Sequence, residues 1–309
     1  MTREHAKSPP RGVPFRVSDA PELGLTPGQL RRTGMQRPFR GIRGVELALG
    51  TLADRCRAYL PALHPDAVFS HSTAARLLRL PLPRRLQDEE VIHVTCGSPT
   101  RPRIPGVSGH RERNLRTIRW QDLPLAAPAD VWCQLAMSLA APELIALGDA
   151  LISVRRAGGS VRAPWCSAED LEAAIERRSP AAGTAKLRAA LPMVRADVDS
   201  PKETELRLLL LERGFPEPVL GARARNARGE SVRADGFPVR PDLSYPDARV
   251  ALEYEGDQHR TDPRQWRIDL ARVRALEAAG WIVIRVTAAD LRSPQDLLRD
   301  LSAALARRG

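Results

Sequence analysis

Residues 241–259, PDLSYPDARVALEYEGDQH, constrain this chain more than any other stretch. A Pro-Asp pair opens it and Pro246-Asp247 turns it. The apolar run Val250-Ala251-Leu252 then leads into Glu253, Tyr254 and Glu255, and Gly256-Asp257 ends it. Apolar residues bounded by turn signals predict a short strand over 250–255, with 242–245 as its hairpin partner. Side chains alternate across a strand, so Glu253 and Glu255 share one face while Leu252 and Tyr254 take the other. Pairing the two strands sets Asp242 beside the acidic face. Three carboxylates at one sheet edge repel one another unless a positive charge lies between them, and a hard divalent cation such as Mg²⁺ takes oxygen ligands of this kind. The same acids would also suit a plain solvated strand face, so the flanking elements matter.

Upstream, Ser200-Pro201-Lys202-Glu203 predicts a helix over 203–213 that stops at Gly214. Ser200 is its N-cap, Pro201 fits the first turn, and Glu203 completes a capping box. Downstream, a helix is expected from Pro263 to Ala279, a buried strand over 281–286 (WIVIRV), and a closing amphipathic helix over 290–308. The strand at 250–255, the crossover helix and the strand at 281–286 form a βαβ unit, expected to be parallel and right-handed. Asp269 and Arg272, at i and i+3, are expected to pair.

In that order, SPKETELRLLLLERGFPEP, RPDLSYPDARVALEYEGDQH, the spaced Asp269 and Arg272, and GWIVIRVTAADL resemble the PD-(D/E)xK nuclease superfamily. They are closer still to the bacterial domain family related to very-short-patch-repair endonucleases. The resemblance covers residues 200–309 and implies a restriction-endonuclease-like αβββαβα core. It also implies that Asp242 and Glu253 bind Mg²⁺ or Mn²⁺, with Glu203 as the helix acid. The third motif position, commonly lysine, is Glu255 here, as is usual in the closer family. The chain has three lysines, Lys7, Lys186 and Lys202, so none follows the motif. A general base would have to be Glu255, His259 or a metal-bound water. The expected catalytic set is therefore Glu203, Asp242, Glu253, Glu255 and His259, with Asp242, Glu253 and Glu255 as metal ligands.

The chain has 309 residues and a formal net charge of +11, which favours a polyanionic partner. Residues 1–120 carry 21 basic and 10 acidic residues, so the whole excess lies there. Ser18 and Thr26-Pro27 each predict the start of a short helix, over 19–23 and 27–33. RPFRGIRG at 37–44 then reads as a basic ribbon. Helix, turn, helix and ribbon is the order of a winged helix, whose helix enters the major groove. Arg31, Arg32, Arg37, Arg40 and Arg43 are the expected phosphate contacts on DNA. GLTPGQLRR, RPFRGIRG and AVFSHSTAARLLRLPLP resemble the winged-helix antitoxins of abortive-infection type IV systems and their nuclease-fused relatives. That resemblance implies promoter binding.

Ser72 is expected to cap a helix over 73–80, and His93 and His110 lack metal-ligand spacing in sequence. Cys56, Cys96, Cys133 and Cys166 form no CxxC, which points to reduced thiols. With no signal-peptide core and no apolar run of about 18 residues, a cytoplasmic chain without a membrane partner is expected. The fold class expected is mixed α/β in three parts. These are a winged-helix-like domain (1–60), a mixed and then helical middle (61–198), and the nuclease-like domain (199–309). The expected function is Mg²⁺-dependent cleavage of DNA. The alternative is a non-catalytic DNA-binding regulator or antitoxin with a degenerate nuclease fold, and RNA as the substrate is a third possibility.

Overall fold

The computed structural model describes residues 8–97, 102, 104–157, 160–255 and 263–307. The chain is of mixed α and β structure and divides into two units, 1–139 with 169–189, and 140–168 with 190–309.

The first unit begins with β1 (Phe15–Arg16) paired antiparallel to β2 (Ile42–Arg43). Between them the expected helices are single 3₁₀ turns, Val17–Asp19 and Gln29–Arg31. Pro21, Gly24, Pro27, Gly28 and Gly34 leave no window long enough to repay helix nucleation. Thr26 and Gln29 still cap each other, with Thr26 N–H donating to Gln29 Oε1 at 2.7 Å. The unit continues through α1 (Leu52–Tyr59), β3 (Val68–Phe69), α2 (His71–Leu77), α3 (Arg84–Gln87), β4 (Ile92–Cys96), β5 (Val107–Arg111), β6 (Thr117–Trp120), β7 (Leu123–Ala126) and α4 (Pro128–Leu135). Its five-stranded sheet has the order β5-β4-β3-β7-β6. Phe69 at its centre is fully buried, as are Ile92, Val94, Leu123 and Leu125. Trp132 of α4 is also fully buried, as a core residue should be.

In the second unit, α5 (Ala141–Ile152) is followed by the hairpin β8 (Arg155–Ala157) and β9 (Ser160–Arg162). The chain then returns to the first unit through α6 (Ala168–Arg178) and α7 (Thr184–Ala190). Next come α8 (Pro201–Glu212), β10 (Val219–Leu220), β11 (Arg233–Ala234), β12 (Phe237–Pro238), β13 (Leu243–Tyr245) and β14 (Val250–Tyr254). The last elements are α9 (Pro263–Ala278), β15 (Ile282–Val286), α10 (Ala288–Arg292) and α11 (Gln295–Ala306). The main sheet runs β10-β13-β14-β15, with β13 antiparallel and β15 parallel to β14. The alternation within β14 sorts the two cores. Leu252 joins Leu206, Leu210, Leu297 and Leu301 of α8 and α11, whereas Ala251 joins Leu276 of α9 and Trp281. The single closing helix expected over 290–308 is instead two, because Pro294 cannot continue a helix interior. Thr287 caps the first of them through Ala289 and Asp290.

Helix α5, an expected part of the middle segment, is tied to α8 by buried charge. Asp149 and Arg207 are both fully buried and form an ion pair at 3.2 Å. Asp149 also accepts from Thr204 Oγ1 at 2.8 Å and from Arg195 N–H at 2.7 Å. Arg207 donates to the Met193 carbonyl at 2.7 Å and reaches Glu217 at 3.2 Å.

Candidate functional site

Three acids of the second unit, each delivered by a different element, lie within electrostatic reach of one another. Glu203 lies in the first turn of α8 and is buried. Ser200 Oγ accepts from Glu203 N–H at 3.3 Å, as a cap should, but the return half of the capping box is displaced. Glu203 Oε2 accepts from Asp199 N–H at 2.9 Å. Asp242 stands where the β13 ladder ends. There its Oδ2 accepts from Tyr254 N–H at 2.8 Å, closing a bond that the strand backbone leaves open. Glu253 is on the Ala251 side of β14, the side that packs on α9.

The positive charge between these acids is Arg272 of α9. Its Nη2 lies 3.2 Å from Glu253 Oε2 and 4.0 Å from Asp242 Oδ1, and donates to the Arg240 carbonyl at 2.7 Å. Arg272 thus forms a clamp across the acid pair, and Asp269 lies close enough to raise the proton affinity of both acids. Burial, and next the Asp242 charge, push Glu203 and Glu253 up to about 8. Asp242 is likewise raised, chiefly by burial, against the Tyr254 N–H and Arg272. The cluster therefore binds protons more readily than isolated carboxylates do.

Glu255 takes no part in the clamp. It is half exposed and pairs with Arg285 at 3.0 Å, although alternation puts it on the same strand face as Glu253. His259, with Gln258 and Arg260, lies outside the described residues. Sequence spacing gave Arg272 no role among the acids, because only the packing of α9 on β14 brings it there.

Of the five arginines expected on DNA, Arg31, Arg32, Arg37 and Arg40 are exposed. Arg43 is half-buried and donates to the Ile42 carbonyl at 2.8 Å. Burial, then the charge of Arg37, lowers its basicity. Arg31, Arg37 and Arg43 line a groove of about 470 Å³ together with Val17, Leu25 and Leu30.

A second cluster, in the first unit, was not legible from spacing. β4 and β5 run parallel, with His93 opposite Ser108 and Thr95 opposite His110, so both histidines occupy one sheet face. His71 joins them from the start of α2, with a backbone φ of +49°. That helix begins at His71 and not at 73, and Ser72 is no cap. Ser72 Oγ donates to Glu89 Oε2 at 2.5 Å. His93 Nδ1 lies 2.8 Å from His110 Nε2, and His93 Nε2 lies 2.7 Å from Glu89 Oε1. His71 Nδ1 is 3.0 Å from Ser70 Oγ, and its ring stacks on His110 at 3.8 Å. Burial, then the two neighbouring rings, push His71 down to about 2, so it is neutral.

Among the described residues no helix is long and apolar enough to cross a membrane. The chain is similar to two curated proteins of Mycobacterium tuberculosis, "Uncharacterized protein MT2308" of strain CDC 1551 / Oshkosh and "Uncharacterized protein Rv2248" of strain H37Rv. Each is 27% identical over 192 residues, which is 62% of this chain and 65% of the relative. The chain thus spans slightly less than two thirds of the length of these relatives. No family model matches the chain. No solved structure matches it either.

Proposed function

We propose that the second unit is a Mg²⁺-dependent nuclease domain of the PD-(D/E)xK kind, and that Arg31, Arg32, Arg37 and Arg40 hold DNA for it. The observation that carries this reading is the convergence of Glu203, Asp242 and Glu253 from a helix, a strand end and a strand, with raised proton affinity. The main sheet supports the same reading, with α8 followed by the antiparallel strands β10, β13 and β14, then α9 and the parallel strand β15, although a separate β11–β12 pair is inserted and two helices close the chain. The donor set fits the ion, since Mg²⁺ takes oxygen ligands, keeps several waters and needs only one or two carboxylates. Asp242 and Glu253 would hold it, with Glu203 behind them. When bound, Mg²⁺ would offset charge at the phosphate and orient a water for attack. Arg272, which offsets the acids here, would be free to meet a phosphate oxygen once a cation takes over that task.

One observation favours a second reading, a DNA-binding regulator that has lost turnover. Arg272 already satisfies Glu253, and the motif's third position, Glu255, is engaged with Arg285. Calorimetry with Mg²⁺ on the full chain separates the two. The nuclease reading expects one saturable Mg²⁺ site that Asp242→Asn abolishes and Arg272→Gln strengthens. Absence of Mg²⁺ binding in both the wild type and Arg272→Gln favours the regulator.

A further inference from the structure

We propose that His71, His93 and His110 form a second metal site, for a borderline divalent cation of the Zn²⁺ type, independent of the acid cluster. One ring nitrogen from each residue lies within 4.8 Å of the other two. A tetrahedral Zn²⁺ with bonds of about 2.0–2.1 Å separates its ligand nitrogens by roughly 3.3 Å. The rings would turn to bring their nitrogens, up to 4.8 Å apart here, to that spacing. Loading would replace the 2.8 Å contact between His93 Nδ1 and His110 Nε2 and open the 3.8 Å stack of His71 on His110.

The surroundings are those of a ligand set. Metal-bound histidines commonly give their other ring nitrogen to a carboxylate, which fixes the tautomer and ring orientation. Glu89 stands in that position on His93, and its second oxygen is fixed by Ser72. The backbone of His71 is held in turn. Its N–H donates to Gln134 Oε1 at 3.1 Å, and Gln134 Nε2 donates to Glu112 Oε2 at 2.9 Å. Arg178 pairs with the other oxygen of Glu112. A non-glycine residue at φ +49° is uncommon, and here it brings the ring to the cluster. All three rings are half-buried, so an ion can reach them from solvent. Three imidazole ligands suit Zn²⁺ better than Mg²⁺, which takes oxygen ligands. They leave the fourth tetrahedral position open, the donor count found in catalytic zinc sites.

The test uses metal-free full-length protein, titrated with Zn²⁺ against a chromophoric chelator and with Co²⁺ followed by visible absorption. The wild type should take up one equivalent of Zn²⁺ at submicromolar affinity, and Co²⁺ should show the intense bands of a tetrahedral nitrogen-bound ion. His93→Gln and His110→Gln should each weaken uptake at least 100-fold, and Glu89→Gln by about 10- to 100-fold. His64→Gln, which removes a histidine paired with Asp66 elsewhere in the unit, should leave Zn²⁺ uptake unchanged. Wild-type protein without stoichiometric Zn²⁺ and without tetrahedral Co²⁺ bands overturns the proposal, whatever the variants' folding. So does uptake that survives both histidine substitutions. Neither result bears on the Mg²⁺ reading, which uses other residues and another ion.

Discussion

At the residue scale, Glu203 has the clearest signature. Its folded proton affinity exceeds the unfolded one, so the folded state binds more protons between about pH 4.5 and about 8. Stability is then full below the lower value and falls as pH rises through the window. Thermal melts from pH 5 to 8.5 should show this decline, Glu203→Gln should flatten it, and Mg²⁺ should restore stability most at the alkaline end. A melting temperature that rises over the same range would contradict the burial argument. Glu255 predicts the opposite behaviour. Its half-exposed pairing with Arg285 is worth little. Glu255→Gln should therefore cost under about 1 kcal/mol in denaturant unfolding and leave any nicking within a few-fold. Strand alternation and hairpin pairing, which are local rules, already set Asp242 beside Glu253, whereas Glu203 reads locally as a capping residue and enters the acid set only through the resemblance. Arg272's place among these acids was not legible, since only the packing of α9 against β14 sets it beside Glu253 and Asp242.

At the scale of elements, the packing of α5 on α8 shows what periodicity leaves out. Leu144, Leu147 and Leu151 mark α5 as amphipathic and all three are fully buried, yet nothing in that pattern says which helix covers them. The choice is expressed in Asp149 and Arg207, fully buried and mutually dependent. Removing one member leaves the other charge without its counterion, so Asp149→Ala should cost about 3–5 kcal/mol in denaturant unfolding. Replacing both by apolar residues of similar volume should recover most of that loss. A single substitution costing under about 1 kcal/mol would show that the pair does not hold these helices together. The histidine cluster was illegible for a related reason. Residues 71, 93 and 110 lie on three elements, and only the parallel register of β4 and β5 places two of them on one face. Strand existence can be read from VIHVT, but register cannot.

At the scale of the whole molecule, the excess positive charge and the acid cluster fall in different stretches of the chain. The net positive charge belongs to residues 1–120, and the acid cluster to residues 203–253. Duplex binding by the full chain should weaken steeply with salt. Substituting alanine for Arg31, Arg37 and Arg40 together should make the logarithmic salt slope shallower, by about one for each phosphate that is no longer neutralised. An unchanged slope would remove these arginines from the interface. The acids should supply chemistry without affinity, because carboxylates lacking a cation repel phosphate. The most direct measurement is therefore nicking of supercoiled plasmid by the full chain in Mg²⁺ or Mn²⁺, with DNA binding followed in the same samples. The account predicts cation-dependent nicking by the wild type, and none by Asp242→Asn or Glu253→Gln, at undiminished DNA affinity. Wild-type protein that binds the plasmid and leaves it intact in both metals would contradict it.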